Sequence, residues 1–221
     1  MKVLKIALLG GALMMSGSAL AADPAATIVV PQGMFDWSGF YAGAEVGGTR
    51  VQATNLPGTV TFDGLLVDVL MGYNAVNDQL LYGIEADVGY STAKYSGSCA
   101  NANWTCKGYV DFQGTLRGRL GWVADNVLIY ATGGLAVANI GGSTTSGPAI
   151  VPPNTTYPDS KLGFGYTVGG GVELALSDTL SGRVQYQYTN YGSVDLAFDI
   201  PYNDIAVDTH SVKLGILAHF N

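Results

Sequence analysis

The 221-residue sequence predicts an all-β chain: an eight-stranded antiparallel transmembrane β-barrel with short periplasmic turns and four long extracellular loops. Three observations point there. Apolar residues recur in steps of two along stretch after stretch, the signature of half-buried strands. The opposite face of those stretches carries glycines and charges together. The connections between them alternate between short and long, the plan of an outer-membrane barrel with an even strand count.

The first element is a leader. "MKVLKIALLGGALMMSGSALA" places Lys2 and Lys5 before an apolar run from Ile6 to Met15 and ends in Ala19-Leu20-Ala21. That is a secretory signal with an A-x-A cleavage site, so residues 1–21 are read as the signal peptide, cut after Ala21. Residues 22–36 then form an extended periplasmic segment, with Pro24 and Pro31 opposing helix. The barrel is expected over 37–221.

Eight alternating stretches follow, near 37–51, 62–74, 80–93, 108–123, 127–140, 162–176, 180–192 and 208–220. "AVNDQ", "ADN" and "SDT" join three pairs as tight turns built from Asn, Asp and Ser. Residues 52–61, 94–107, 141–161 and 193–207 are the long connections, rich in Gly, Pro, Ser, Thr and Asn. In the third stretch Leu80, Tyr82, Ile84, Ala86, Val88 and Tyr90 oppose Gly83, Glu85, Asp87 and Gly89. In the fourth, Val110, Phe112, Leu116, Leu120 and Trp122 oppose Asp111, Gln113, Thr115, Arg117 and Arg119. The sixth sets Phe164, Tyr166, Val168, Val172 and Leu174 against four residues that are Gly or Thr and then Glu173. The fifth, "VLIYATGGLAVANI", is apolar on both faces, and its orientation stays open. The last sets Val212, Leu214, Ile216, Ala218 and Phe220 against Ser211, Lys213, Gly215, Leu217 and His219.

Which face meets water follows from the glycines. A soluble barrel carries its charges outside, where glycines gain nothing by sharing the face. In an inside-out barrel, glycine lets long Arg and Glu side chains lie across a narrow lumen and pair. Eight strands leave an interior that side chains just fill. The predicted lumen network is therefore Glu45, Asp68, Glu85, Asp87, Asp111, Arg117, Arg119, Glu173, Arg183 and Lys213, with the arginines paired to Glu45, Glu85, Asp87 or Glu173. The terminal strand must pair with the first, since an open edge in hydrocarbon leaves backbone groups unpaired. Trp37, Phe40, Tyr73, Tyr82, Trp122, Tyr130 and Phe220 are expected as one aromatic ring at the short-turn end. Tyr90, Tyr109, Tyr166 and Tyr188 form the other, towards the long loops.

Composition agrees. Charged residues are 12 per cent of the chain, about half of the ~25 per cent usual for soluble domains. The net charge of −7 and pI near 4.5 exclude a basic face for nucleic acid. Mean hydropathy is +0.25 with no continuous apolar span after the leader. The two cysteines, Cys99 and Cys106, lie in "SGSCANANWTCKG" with no His, Asp or Glu between them. In an oxidising compartment they are expected to bridge within the second long loop; no metal or cofactor is expected.

The stretches "WSGFYAG", "YGIEADVGYS", "GTLRGRLGW", "IYATGGLA", "GYTVGGGVELAL" and "GRVQYQYTNYGS", with the final strand, resemble small outer-membrane barrel proteins of alphaproteobacteria. These are the porin-family, opacity-like proteins that include major outer-membrane proteins of Brucella, Bartonella and rhizobia. The resemblance implies an outer-membrane location, lipid and lipopolysaccharide around the barrel, and insertion by the barrel assembly machinery through the terminal aromatic. This chain departs from the pattern in Gln185-Tyr186, where a carboxylate usually precedes the tyrosine, in Ala218, and in Asn221 after Phe220. Proteins of this kind can also be joined to peptidoglycan by an LD-transpeptidase through a mature Ala-Asp terminus, here Ala22 and Asp23.

Four function classes remain. The first is a structural envelope protein, and the second a small-solute porin. The third is a haem-binding surface protein using His210 with Tyr191 or Tyr202, or else His219. The last is an enzyme, disfavoured because His210 and Ser211 alternate to opposite faces and no other nucleophile–base–acid set is evident in the sequence.

Overall fold

A computed structural model describes residues 35–56, 58–99 and 101–220. The signal peptide, Ala22, Asp23 and Asn221 lie outside the described residues. The strands are β1 (Gly39–Leu56), β2 (Gly58–Asn77), β3 (Leu80–Ser91), β4 (Lys94–Ser98), β5 (Trp104–Ala124), β6 (Val127–Ser146), β7 (Thr156–Ala175), β8 (Leu180–Ala197) and β9 (Pro201–Phe220). All pairings are antiparallel. The ring runs β1-β2-β3-β5-β6-β7-β8-β9 and closes where β9 pairs with β1, Phe40 opposite Phe220 and Thr54 opposite Ala206. Eight strands therefore close the barrel, and β4 continues β3 as a short offset ribbon paired only with β5.

The tight turns sit where the Asn/Asp/Ser clusters place them. Asp78 and Asp125 take φ of 57° and 53° there, a left-handed conformation that Asp and Asn tolerate better than most residues. The other end differs from expectation. Much of 52–61, 141–161 and 193–207 is strand, so the long connections are hairpins that carry the ladder onward, with 198–200 the whole break between β8 and β9.

Side chains alternate as an inside-out barrel requires. Val67, Val69, Met71, Ile84, Val88, Leu116, Leu120, Leu214 and Ile216 are exposed on the outer wall, an apolar belt for a bilayer. Phe40, Tyr73, Tyr82, Trp122 and Phe220 ring its short-turn end. Tyr90 and Tyr166 are exposed nearer the hairpins.

Two expected girdle residues are not on the wall. Trp37 is 2 % exposed and Tyr130 4 %; both are inside, with Phe35, Leu81, Leu128 and Ala175, in an aromatic plug at the short-turn mouth. Trp37 precedes β1, and at Gly39 the backbone takes φ 99°, accessible to glycine at little cost. The Trp37 indole N–H donates to the Asp125 carbonyl (3.2 Å), and the Phe35 N–H to Asn126 Oδ1 (3.2 Å). Tyr130 belongs to the strand whose orientation the sequence leaves open. Its register settles the matter: Leu128 pairs with inward Glu173, so the even residues of β6 point in.

Candidate functional site

The site that the sequence reading marks out is the lumen, where the small residues of one strand make room for the long side chains of another. A methyl group at Gly215 would lie 2.9 Å from Glu45 Cγ and 3.3 Å from Arg183 Cγ, too close for a real side chain. Gly72 likewise lies directly against the Tyr41 ring.

Into that space the strands bring nine of the ten expected charges. Glu85 of β3 is the hub. It receives Arg117 at 2.5 Å and Arg119 at 3.6 Å from neighbouring β5, and Arg183 at 2.6 Å from β8, which stands opposite in the ring. Tyr41 donates its hydroxyl to the same carboxylate at 2.9 Å. Around this hub, Arg117 also meets Asp87 (2.8 Å), Arg119 meets Glu173 (2.8 Å) and Arg183 meets Glu45 (2.5 Å). Lys213 bridges Asp68 (2.9 Å) and Glu45 (3.2 Å). Every side chain in these pairs is buried. Charges this far from water are tolerated only when paired, and every member of the network has an opposite charge within reach. Arg117 Nε, Arg119 Nε and Arg183 Nη2 have no hydrogen-bond partner among the described residues.

The tenth residue, Asp111, is not in the lumen network. The β5–β6 register shifts between Val110 and Gln113, and the extra residue reverses alternation above it. Val110 consequently turns inward and Asp111 stays half-exposed, accepting from Asn139 at 2.9 Å.

Several functional neighbours escape sequence reasoning. Gln187, absent from the expected network, and Gln185, noted only as a departure from the family pattern, share the inward face with Arg183, a spacing of two that could have marked both. Gln187 accepts from Arg117 at 2.9 Å, and Gln185 accepts the Tyr130 hydroxyl at 2.8 Å. The Arg119 guanidinium lies 4.1 Å from the Tyr130 ring centre and 5.2 Å from that of Tyr41, within cation–π range.

Below the network, His219 Nε2 is 2.9 Å from Ser181 Oγ and 3.3 Å from Glu173 Oε1. This trio lacks the arrangement of a nucleophile–base–acid relay, in which acid and nucleophile occupy different ring nitrogens. Both approach Nε2, while Nδ1 has no partner among the described residues, and Phe35, Trp37 and Tyr41 pack around the ring. His210 faces outward at the other end, 2.7 Å from the Tyr186 hydroxyl. Tyr191, bonded to Gln113, and Tyr202, packed on Phe198, lie in one inward cluster, so outward His210 is not gathered with either tyrosine. Cys99 and Cys106 form a disulfide across the end of the β4–β5 hairpin.

Known proteins resemble this chain along most of its length. Residues 9–220 match the model of the outer membrane protein beta-barrel domain. The chain is 34 % identical to the 25 kDa outer-membrane immunogenic protein of Brucella abortus, over 91 % of this chain and 90 % of that one. It is 33 % identical to the 22 kDa outer membrane protein of Rhizobium leguminosarum bv. viciae, over 83 % and 78 %. Among solved structures, Neisserial surface protein A aligns with a TM-score of 0.49 at 16 % identity, covering 83 % of this chain and 98 % of that chain. The protein resides in the outer membrane and belongs to the outer membrane protein beta-barrel domain family.

Proposed function

We propose that this chain is a structural, non-enzymatic protein of the outer membrane, a barrel with a closed lumen that supports envelope integrity. The observation that carries this reading is the Glu85 hub, joined to arginines on both sides of the ring. Charges paired across the axis occupy the space a solute would need, and eight strands leave little of it. The outer wall gives the lipid its apolar belt, and Phe220, exposed at the end of β9 and followed by Asn221, offers the assembly machinery a penultimate aromatic. Planar-bilayer recordings on purified protein test the reading. The expected result is no stable conductance step. Steady steps that scale with salt concentration would make the chain a small-solute porin instead.

The amino-terminal segment extends the structural role. Phe35 and Trp37 are held at the short-turn mouth, and this supports a chain that leaves the barrel on the periplasmic side. A mature terminus at Ala22-Asp23 would then face the wall, with the Ala22 α-amine as acceptor for an LD-transpeptidase. Sacculi boiled in detergent and digested with muramidase are expected to release an Ala22 peptide carrying a muropeptide mass. Recovery of Ala22 only as a free amine would remove the tether and leave the closed barrel untouched.

A further inference from the structure

We propose that the extracellular end of the lumen is a binding site for one small, uncharged, apolar solute, about the size of a substituted benzene ring. Above the charge network the barrel holds a chamber of about 200 Å³. Val51, Phe62, Tyr95, Ile140, Ile205 and Val207 are among its lining residues. Tyr191, buried beneath and hydrogen-bonded to Gln113 at 3.1 Å, belongs to the same apolar cluster and stands between the chamber and the charges. Lys107 is the charged residue on the border, but it is exposed and alternates with Cys106. A charged ligand would be desolvated there without a partner, at heavy cost. An uncharged apolar solute gains instead by leaving water for the largely apolar lining.

One seam beside the chamber lacks a backbone ladder. The β2–β3 ladder ends at Leu66–Ser91, and the last backbone bond on this seam runs from the Thr92 N–H to the Leu65 carbonyl. Beyond it β2 pairs with β1 and β4 with β5, and no ladder joins residues 58–64 to 94–98 among the described residues. The Phe62 and Tyr95 rings pack across this seam, their centres 6.3 Å apart and their planes tilted by 43°, so entry there takes a swing of these two side chains. Thr61, Asp63, Lys94 and Ser96 are exposed along its two edges. Polar edges put this seam in the aqueous or headgroup layer rather than in hydrocarbon. The occupant therefore comes from the external medium and not from a lipid chain of the leaflet.

Isoleucine methyl NMR of the protein in lipid nanodiscs, titrated with toluene, tests the proposal. Ile140 and Ile205 report the chamber, while Ile84, Ile129 and Ile216 face lipid. The expected result is saturable shifts at Ile140 and Ile205, with only a linear drift at the lipid-facing methyls. Filling the chamber by Val207→Trp is expected to abolish the saturable component and keep the drift. Ala53→Phe serves if that variant fails to fold. Linear drift at all five methyls would overturn the proposal. So would lipid acyl-chain cross-peaks to Ile140 and Ile205 without a saturable toluene shift, because the occupant would then be membrane lipid.

Discussion

The two halves of the lumen are made by the same strands and have opposite chemistry. At the level of the apolar belt, β1 turns Glu45 inward and Val46 outward; higher up it turns Val51 and Ala53 inward and Arg50 outward. β2 repeats this, with Asp68 inside beside outward Val67 and Val69, then Phe62 inside beside outward Asp63. β9 passes from inward Lys213 to inward Val207 and Ile205. The barrel is thus inside-out where lipid surrounds it and built like a soluble barrel where water does. Height above the belt, and not strand identity, decides which face is apolar.

The largest expected effect lies in the charged half. Removing one partner from a buried pair leaves the others uncompensated, at about 3–5 kcal/mol, and Glu85 serves three arginines at once. Glu85→Gln preserves size and is expected to lower stability by about that amount in urea unfolding from lipid vesicles. A loss below about 1 kcal/mol would mean the hub is solvated, which would also weaken the closed-lumen reading.

The outer wall tests the same comparison from the other side. Val69 and Thr61 are both outward residues of β2 at different heights. A lysine on the lipid face costs about 2–4 kcal/mol at the midplane and about 0–1 kcal/mol near the interface. Val69→Lys is therefore expected to destabilise strongly in vesicle unfolding, and Thr61→Lys hardly at all. Equal costs at the two positions would dissolve the boundary between the halves.

This reversal also explains what the sequence could and could not reveal. Within the belt, alternation and its sign agreed over the last strand and across the third and fourth stretches, so closure and nine of the charges were legible from residue types. Where the sign reversed, period two persisted, but polar residues now faced outward and Gly, Thr and Ser were frequent. Residues such as Thr61, Val207 and Val194 therefore read as loop. Asp111 failed for a local reason: a bulge changes parity and leaves no mark in composition. Tyr130 and Trp37 were placed by aromatic identity, and the parity of Tyr130 emerges only once its strand is paired with that of Glu173.

The smallest expected effect concerns the solvated half, where a charge acts through one hydrogen bond. The Ala197 N–H donates to Asp159 Oδ2 at 2.8 Å, linking the far ends of β7 and β8, which belong to two different extended hairpins. That backbone bond holds the Asp159 carboxyl below its ordinary range. A carboxylate with a depressed folded pKa contributes its stabilisation above the unfolded value, ~3.9, and loses it as pH falls through the lower folded value. Amide hydrogen exchange at Ala197, corrected for intrinsic rates, should therefore show protection that persists near pH 4 and declines only at lower pH. Asp159→Asn retains a carbonyl acceptor and should abolish the pH dependence while keeping part of the protection; Asp159→Ala should lose both. Because the group is solvent-exposed, Glu85-centred stability should be indifferent to either substitution. A global loss on Asp159→Ala would show that the two halves are coupled, against the layered picture.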